Sequence, residues 1–340
     1  MFKFSTKIDG LKNTPSYISD VAFDPKGSIL AATFGQFGSN VGNLKNKVRL
    51  YNFKTKKIIK ELNNPTSKLD HPHGILLTNK HILVTNKGIR PNNFLCFGIK
   101  DKSHKPLQSY ATPFKKLNEA HSLALFKKIL VVTYCEGLNK RGAVVSYEFD
   151  DKRGKIIKEL DILEDWFKKY GDAKGVAFNK AGNKIYVTFN SDQLNVKGKV
   201  SWALKRILSL GFFKGRTNKN GIAVFNINSE GKIAKKPREL YLFENNPRLE
   251  NIHIVDDKCL VTDSLINRAY IFNLKDRKKF DKPRQIITRN LSLPHGGKFT
   301  PDGNAIAISN FGLQVEEGKF IQWGKYLNKR KDNIAIFKLD

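Results

Sequence analysis

Histidine recurs in one setting along this chain. Three of its seven histidines stand just ahead of a short apolar run: His73 in HPHG, His121 in EAHS and His295 in LPHGG. Aligning the six segments that share this opening puts Ser19, His73, His121, Lys174, Asn251 and His295 in one register, flanked by Asp20, Glu119, Asp172 and Glu250. Neither apolar packing nor turn geometry asks for histidine there. Three chemistries fit the pattern. Neutral imidazoles bind Zn²⁺ or another transition metal, with Asp263 or Glu119 as an oxygen ligand. Protonated imidazoles together with Lys174 bind an anion. A structural ring, satisfied by water and backbone, needs no ligand. A second register pairs Thr or Ser with a variable residue: Thr33-Phe34, Thr85-Asn86, Thr133-Tyr134, Thr188-Phe189, Thr262-Asp263 and Ser309-Asn310.

The elements that must position these residues form an internal repeat. Each of the six segments has a polar opening, an apolar strand, a turn (DPKG, TNK, FKK, NKAGN, VDDK, TPDGN) and a second β-branched strand, which is a hairpin signature. A third strand follows each hairpin (KVRLYNF, NFLCFGI, AVVSYEF, GIAVFNI, RAYIFNL, NIAIFKL), and a more polar fourth strand follows the first five. Four short antiparallel strands, repeated every ~40–50 residues, predict an all-β, six-bladed β-propeller. The sixth unit lacks its fourth strand. Residues 2–8 (FKFSTKI) are the spare strand that completes blade six and closes the ring, leaving no sheet edge. The blades then run over about 11–62, 63–112, 113–162, 163–245, 246–289 and 290–340, as one domain. Both polar registers open on the same mouth. His73 and His121 fall on adjacent blades and His295 on the sixth, so the three converge only if the channel is narrow.

The loops at that mouth are unequal. Blade four carries about thirty extra residues between Asn190 and Gly221, and blade six an insertion from Phe311 to Asp332. The spacing in VSWALKRILSLGFF predicts a short helix, and the second insertion repeats the theme with Trp323 among lysines. Arg90, Lys140, Arg141 and Arg268 lie in other mouth loops. The chain has 61 Lys+Arg against 31 Asp+Glu, a formal net charge of +30. Codon bias of an AT-rich genome explains many lysines but not the scarcity of acids, and such a surface attracts polyanions. With 40% apolar residues the chain is too apolar for a disordered one, and no stretch approaches the ~18 apolar residues of a membrane span. Three cysteines without CxxC spacing argue against a disulfide framework and for a reducing compartment.

The openings HPHG and LPHGGKFTPDGN, with the VTDSL of Val261–Leu265, resemble those of the six-bladed lactonase-like propellers. These comprise the senescence-marker-protein/gluconolactonase family and, more distantly, the NHL-repeat and TolB-like propellers. The resemblance spans the chain as architecture, through short motifs. It implies one divalent metal on the axis, held by a Glu of the first blade and by Asn and Asp of others. Asp263 matches the Asp-Ser motif that supplies a ligand and the catalytic base there, and Asn86 and Asn310 occupy comparable mouth positions. An oxygen-rich set of that kind implies an ion such as Ca²⁺. The chain departs from the family at Tyr17-Ile18-Ser19-Asp20, where Glu-Gly-Pro is expected; Asp20 substitutes only if it faces the axis. The histidines are also unlike that family, and resemble those of lyase and oxygenase propellers that bind metal through imidazoles.

The reading that follows is a metal-assisted, lactonase-like hydrolase acting on a small anionic substrate in the mouth. Asp263 is the base or a ligand; His73, His121 and His295 are ligands, and His121 also carries protons. Lys174, Arg90, Asn251, Asn86, Asn310, Trp202 and Trp323 contact the substrate, and the cofactor is a divalent ion, zinc or calcium. The alternative is a non-catalytic propeller whose basic mouth docks a polyanion (nucleic acid included), a membrane surface or a protein. Phosphate-loop and nucleophile-elbow motifs are not found. The protein is expected to be a cytoplasmic monomer without a membrane-spanning segment.

Overall fold

The computed structural model describes residues 1–11, 16–36, 46–63, 66–87, 93–112, 119–135, 142–190, 220–243, 247–276, 279–311 and 332–340. Among them lie 24 strands in six four-stranded antiparallel sheets, the six-bladed propeller expected from the repeat. In five blades the strands follow chain order. The sixth is built from Pro294–Phe299, Ala305–Asn310, Asn333–Leu339 and the N-terminal strand Phe2–Asp9. That last strand pairs from Phe2↔Leu339 to Asp9↔Asn333, with a register shift between Phe4 and Thr6, and buries Phe2 and Ile8. Gln285 of blade five ties it down further, donating to Phe2 O at 2.7 Å and accepting from Phe2 N at 2.8 Å.

Among the described residues the core is divided. Six apolar clusters fill the wedges between neighbouring blades, because each sheet presents one face to the blade before it and the other to the blade after it. Ile8, Ile18, Phe34, Ile308's neighbour Ala307 and Ile336 form the wedge where the ring closes. The turn TPDGN works as its composition demands: Gly303 takes φ 68°, a left-handed conformation that glycine adopts without strain.

A short helix, Asp165–Tyr170, leads into blade four and buries Phe167, with Trp166 and Tyr170 packed against the same wedge. No periodicity marks it in the sequence, since six residues are too few to show a helical period. The helices expected in the insertions of blades four and six lie outside the described residues. No helix among the described residues is long and apolar enough to cross a membrane.

Candidate metal centre

The inner strand of every blade carries a one-residue bulge at the same place. Pairing breaks between Ile18 and Val21, Pro72 and Ile75, Ala120 and Leu123, Ala173 and Val176, Leu249 and Asn251, and Pro294 and Gly297. A bulge re-aims side chains, and the residues it frees here are the ones at the axis. The register shows which they are. In blade three Ala120 pairs with Tyr134 and Leu123 with Val132; in blade five Leu249 pairs with Asp263 and Ile252 with Val261. Glu250 is therefore the equivalent of His121. The upper ring is Ser19, His73, His121, Lys174, Glu250 and His295, and Asn251 belongs one layer below, with Asp20, Gly74, Ser122, Gly175 and Gly296.

The hydroxyl register stitches neighbouring blades together beneath this ring. Thr33 donates to His73 O at 2.6 Å, Thr85 to His121 O at 3.2 Å, Thr262 to His295 O at 2.5 Å and Ser309 to Ser19 O at 3.1 Å. Thr133 makes the same bond to Lys174 O. Each hydroxyl thus holds the backbone of the axial residue in the next blade. Blades approach so closely that a side chain is excluded from part of the lower layer: a Cβ on Gly296 would lie 2.2 Å from Asp20 Oδ1.

His73, His121 and His295 meet. Their ligand-capable atoms all lie within 4.8 Å of one another, and all three are buried. Ring centroids are 4.0 Å apart for His73–His121, 4.7 Å for His73–His295 and 5.4 Å for His121–His295. His73 Nδ1 donates to His121 O at 3.0 Å, and His295 Nδ1 donates to Ser19 O at 2.8 Å. A carbonyl can only accept, so both rings carry their proton on Nδ1 and expose a lone pair on Nε2, the arrangement that outer-shell carbonyls impose on metal-binding histidine. Neither nitrogen of buried His121 has a close hydrogen-bond partner; Glu250 Oε2 stands 3.5 Å from its Nε2. His253 is the contrast: its Nδ1 accepts Phe299 N–H at 3.1 Å, which fixes the opposite tautomer.

Burial dominates the electrostatics. It pushes His73 and His121 well below the ordinary imidazole value and His295 to about 3, with Lys87 and Lys174 adding to the effect on His121 and His295. The three rings are neutral at neutral pH, the form that ligates metal. Burial also opposes the charge of Glu250, but Arg248, Lys174 and His295 outweigh it and hold the carboxyl well below the carboxylate range. Lys174 stays charged in spite of burial because Asp172, at 3.0 Å, Cys135 and Glu250 surround it; its ammonium donates to Cys135 Sγ at 3.4 Å. Phe311 stacks on His295 at 4.4 Å and touches Tyr17, forming an aromatic wall at the mouth.

The remaining expected residues are placed otherwise. Asp263 is not brought to the imidazoles: its Oδ1 caps the backbone N–H groups of Arg248 at 3.0 Å and Leu265 at 3.1 Å, and its Oδ2 accepts from Tyr270 at 3.3 Å. Asn86 bonds Asp70 N and Lys68 O, and Asn310 bonds Ser292 N and Asn290 O, the same capping role for the loops leading into their blades. The oxygen-rich set that the resemblance implies is therefore not assembled. Glu119 lies 3.6 Å from Lys87 and is likewise outside the triad. Asp20 does face the axis, as a plug under the ring, accepting from Val21 N, Ile75 N and Asn251 Nδ2. Arg90, Trp202 and Trp323 lie outside the described residues.

Glu250, expected to flank the register, stands in it instead. The signal was there: in blades one to four one residue separates the axial side chain from the first apolar one (His73-Gly74-Ile75, His121-Ser122-Leu123), and that count selects Glu250-Asn251-Ile252.

No protein-family model and no curated protein sequence matches the chain. Solved structures do. A luciferin-regenerating enzyme superposes with a TM-score of 0.61 at 10% identity, covering 98% of this chain and 96% of that one. Hydrazine synthase of Kuenenia stuttgartiensis gives 0.56 at 15% identity, covering 88% and 94%. A Bacteroides fragilis protein described as a 6-phosphogluconolactonase gives 0.56 at 14% identity, covering 92% and 78%. At this level of identity the likeness establishes the β-propeller fold and nothing finer.

Proposed function

We propose that the protein is a metal-assisted, lactonase-like hydrolase working on a small anionic substrate at the axial mouth. The observation that carries this is the convergence of three buried, neutral imidazoles from three blades, one of them with no close hydrogen-bond partner at either nitrogen. A buried histidine without partners is costly unless something answers its lone pair. A divalent ion, when bound, supplies Lewis acidity toward a carbonyl and a water of lowered pKa. The chain's own residues do the rest. The carbonyls of His121 and Ser19 orient the ligand rings, and the ring's burial limits bulk water. Lys87 and Lys174 place ammonium groups by the imidazoles, where an anionic substrate group is favoured. In the reaction one water adds to the acyl carbon, the ring C–O bond breaks, and the leaving oxygen takes a proton, giving a hydroxy acid. The fold likeness to a luciferin-regenerating enzyme and to a protein described as a 6-phosphogluconolactonase supports the reaction class by analogy of architecture. Three free, buried cysteines accord with a reducing compartment.

The test is a panel of lactones and esters with and without a carboxylate or phosphate, assayed on metal-loaded protein. Turnover of an anionic lactone, lost on chelation and in His295→Ala, is expected. A metal-loaded protein that turns over none of them contradicts the reading. The second reading, a non-catalytic propeller docking a polyanion, rests on the net charge of +30 and gains from that outcome.

A further inference from the structure

The ring sets a carboxylate against the imidazoles in a way that proton sharing does not explain. Glu250 Oε1 accepts from Arg248 Nε at 2.6 Å and from Ser264 Oγ at 3.3 Å, so this oxygen is held. Its Oε2 points the other way and lies 3.5 Å from His121 Nε2 and 3.4 Å from His295 Nε2. His295 has already given its Nδ1 proton to Ser19 O, so in the neutral ring Nε2 presents a lone pair. His73, whose Nδ1 serves His121 O, presents another. Acceptors thus face acceptors at a site where the His121, His295 and Glu250 side chains are 2–5% exposed. Such an arrangement is unfavourable unless a hydrogen-bond donor or a cation sits among them. One proton answers a single Nε2···Oε2 contact and leaves the other imidazoles unanswered. One metal ion answers all of them.

We propose that Glu250 is a metal ligand, completing a three-histidine, one-carboxylate centre of His73, His121, His295 and Glu250 that takes a transition-metal dication of the zinc or cobalt kind. The inference rests on the metal reading above and adds to it the fourth ligand and the class of ion; the water or substrate carbonyl of that reading would then enter as a fifth ligand. Ligands of a tetrahedral site with bonds of about 2.0–2.1 Å are themselves about 3.3–3.4 Å apart, close to the spacing of Glu250 Oε2 from the His121 and His295 nitrogens; Glu250 stands outside the 4.8 Å grouping of the three imidazoles and would close on His73 as the ion binds. Three nitrogen donors and one carboxylate oxygen suit zinc or cobalt, whereas calcium requires six to eight oxygens. Because Arg248 and Ser264 hold Oε1, Glu250 offers one oxygen only, and Arg248 is a positioning residue.

The experiment is a titration of the full-length, chelator-stripped protein with Co²⁺, followed by visible absorption. The wild-type chain is expected to bind one Co²⁺ with the intense bands of a four-coordinate ion, and to bind Ca²⁺ far more weakly. Glu250→Gln should bind Co²⁺ at least tenfold more weakly with altered bands, the least expected of a ligand when outer-shell groups alone are worth ~10–100-fold. Should Glu250→Gln fail to fold, Glu250→Asp, which keeps the charge and withdraws the oxygen, is expected to show the same loss. A Glu250 variant with wild-type affinity and spectrum, alongside a His121→Ala variant that has lost Co²⁺, overturns the fourth ligand and leaves the triad standing. A wild-type protein that binds no Co²⁺ overturns both.

Discussion

Asp20 shows how one buried side chain can govern the axis. It accepts hydrogen bonds from blade one, from the backbone of blade two and from Asn251 of blade five, while Asn251 in turn accepts from Lys298 at 3.5 Å. Burial nevertheless pushes its carboxyl up to about 6 from 3.8, against the pull of Lys298 and those donors. Between these two values the folded chain holds a proton that the unfolded chain has lost. Folding stability therefore falls as pH rises from about 4 to 6, by roughly 3 kcal/mol for this group at ~1.4 kcal/mol per unit. Asp20→Asn should remove that slope, read as the difference between the two proteins in denaturant unfolding across pH 4–7; parallel curves would contradict it. At this scale the sequence revealed a good deal about the ring. Three histidines in one register were visible because no packing demand accounts for them. Glu250 was not, because its neighbour Asn251 is polar too, and two adjacent polar residues leave the axial place ambiguous without the strand register. Asp263 misled for the opposite reason: an Asp-Ser pair reads as chemistry, whereas its carboxylate caps backbone N–H groups.

Among the elements, the second strands do more than complete hairpins. Their Thr and Ser hydroxyls hold the backbone of the next blade at the residue that faces the axis, so the ring is positioned by its neighbours as much as by its own strands. Thr262→Val keeps the shape but removes the donor to His295 O in a fully buried setting. A loss of about 1–3 kcal/mol is expected from denaturant unfolding, together with weaker metal binding as His295 is released. A change below ~0.5 kcal/mol would show that the hydroxyl ring is incidental. The alternation of apolar strands and turns made these elements legible, and the hydroxyl register with them. Its structural task was not legible, since a Thr that bonds across blades looks the same in sequence as one that faces water. The bulges that turn the axial residues inward were equally hidden, because a single extra residue is absorbed by a short strand without disturbing its composition.

The whole molecule depends on closing the ring. The N-terminal strand completes blade six and contributes Phe2 and Ile8 to two different wedges, one on each side of that blade. Removing residues 1–9 should cost ~3–6 kcal/mol from those two side chains alone, at about 1.5–3 kcal/mol each, before the lost ladder is counted. An unchanged melting temperature for the truncated chain would contradict closure by this strand. Closure was readable from the repeat, because five units had a fourth strand, the sixth lacked one and a spare strand stood at the other end. A closed ring also explains how histidines from blades two, three and six can meet, since six inner strands leave a channel narrow enough for side chains on opposite sides to touch. The central claim is that this meeting point is a metal centre, and metal content tests it most directly. Protein purified without chelators and analysed by mass spectrometry of its elements should carry about one zinc-class ion per chain. The folded triple variant His73→Ala, His121→Ala, His295→Ala should carry none. A wild-type protein free of metal after incubation with zinc, or a triple variant that binds as much as the wild type, would contradict the account.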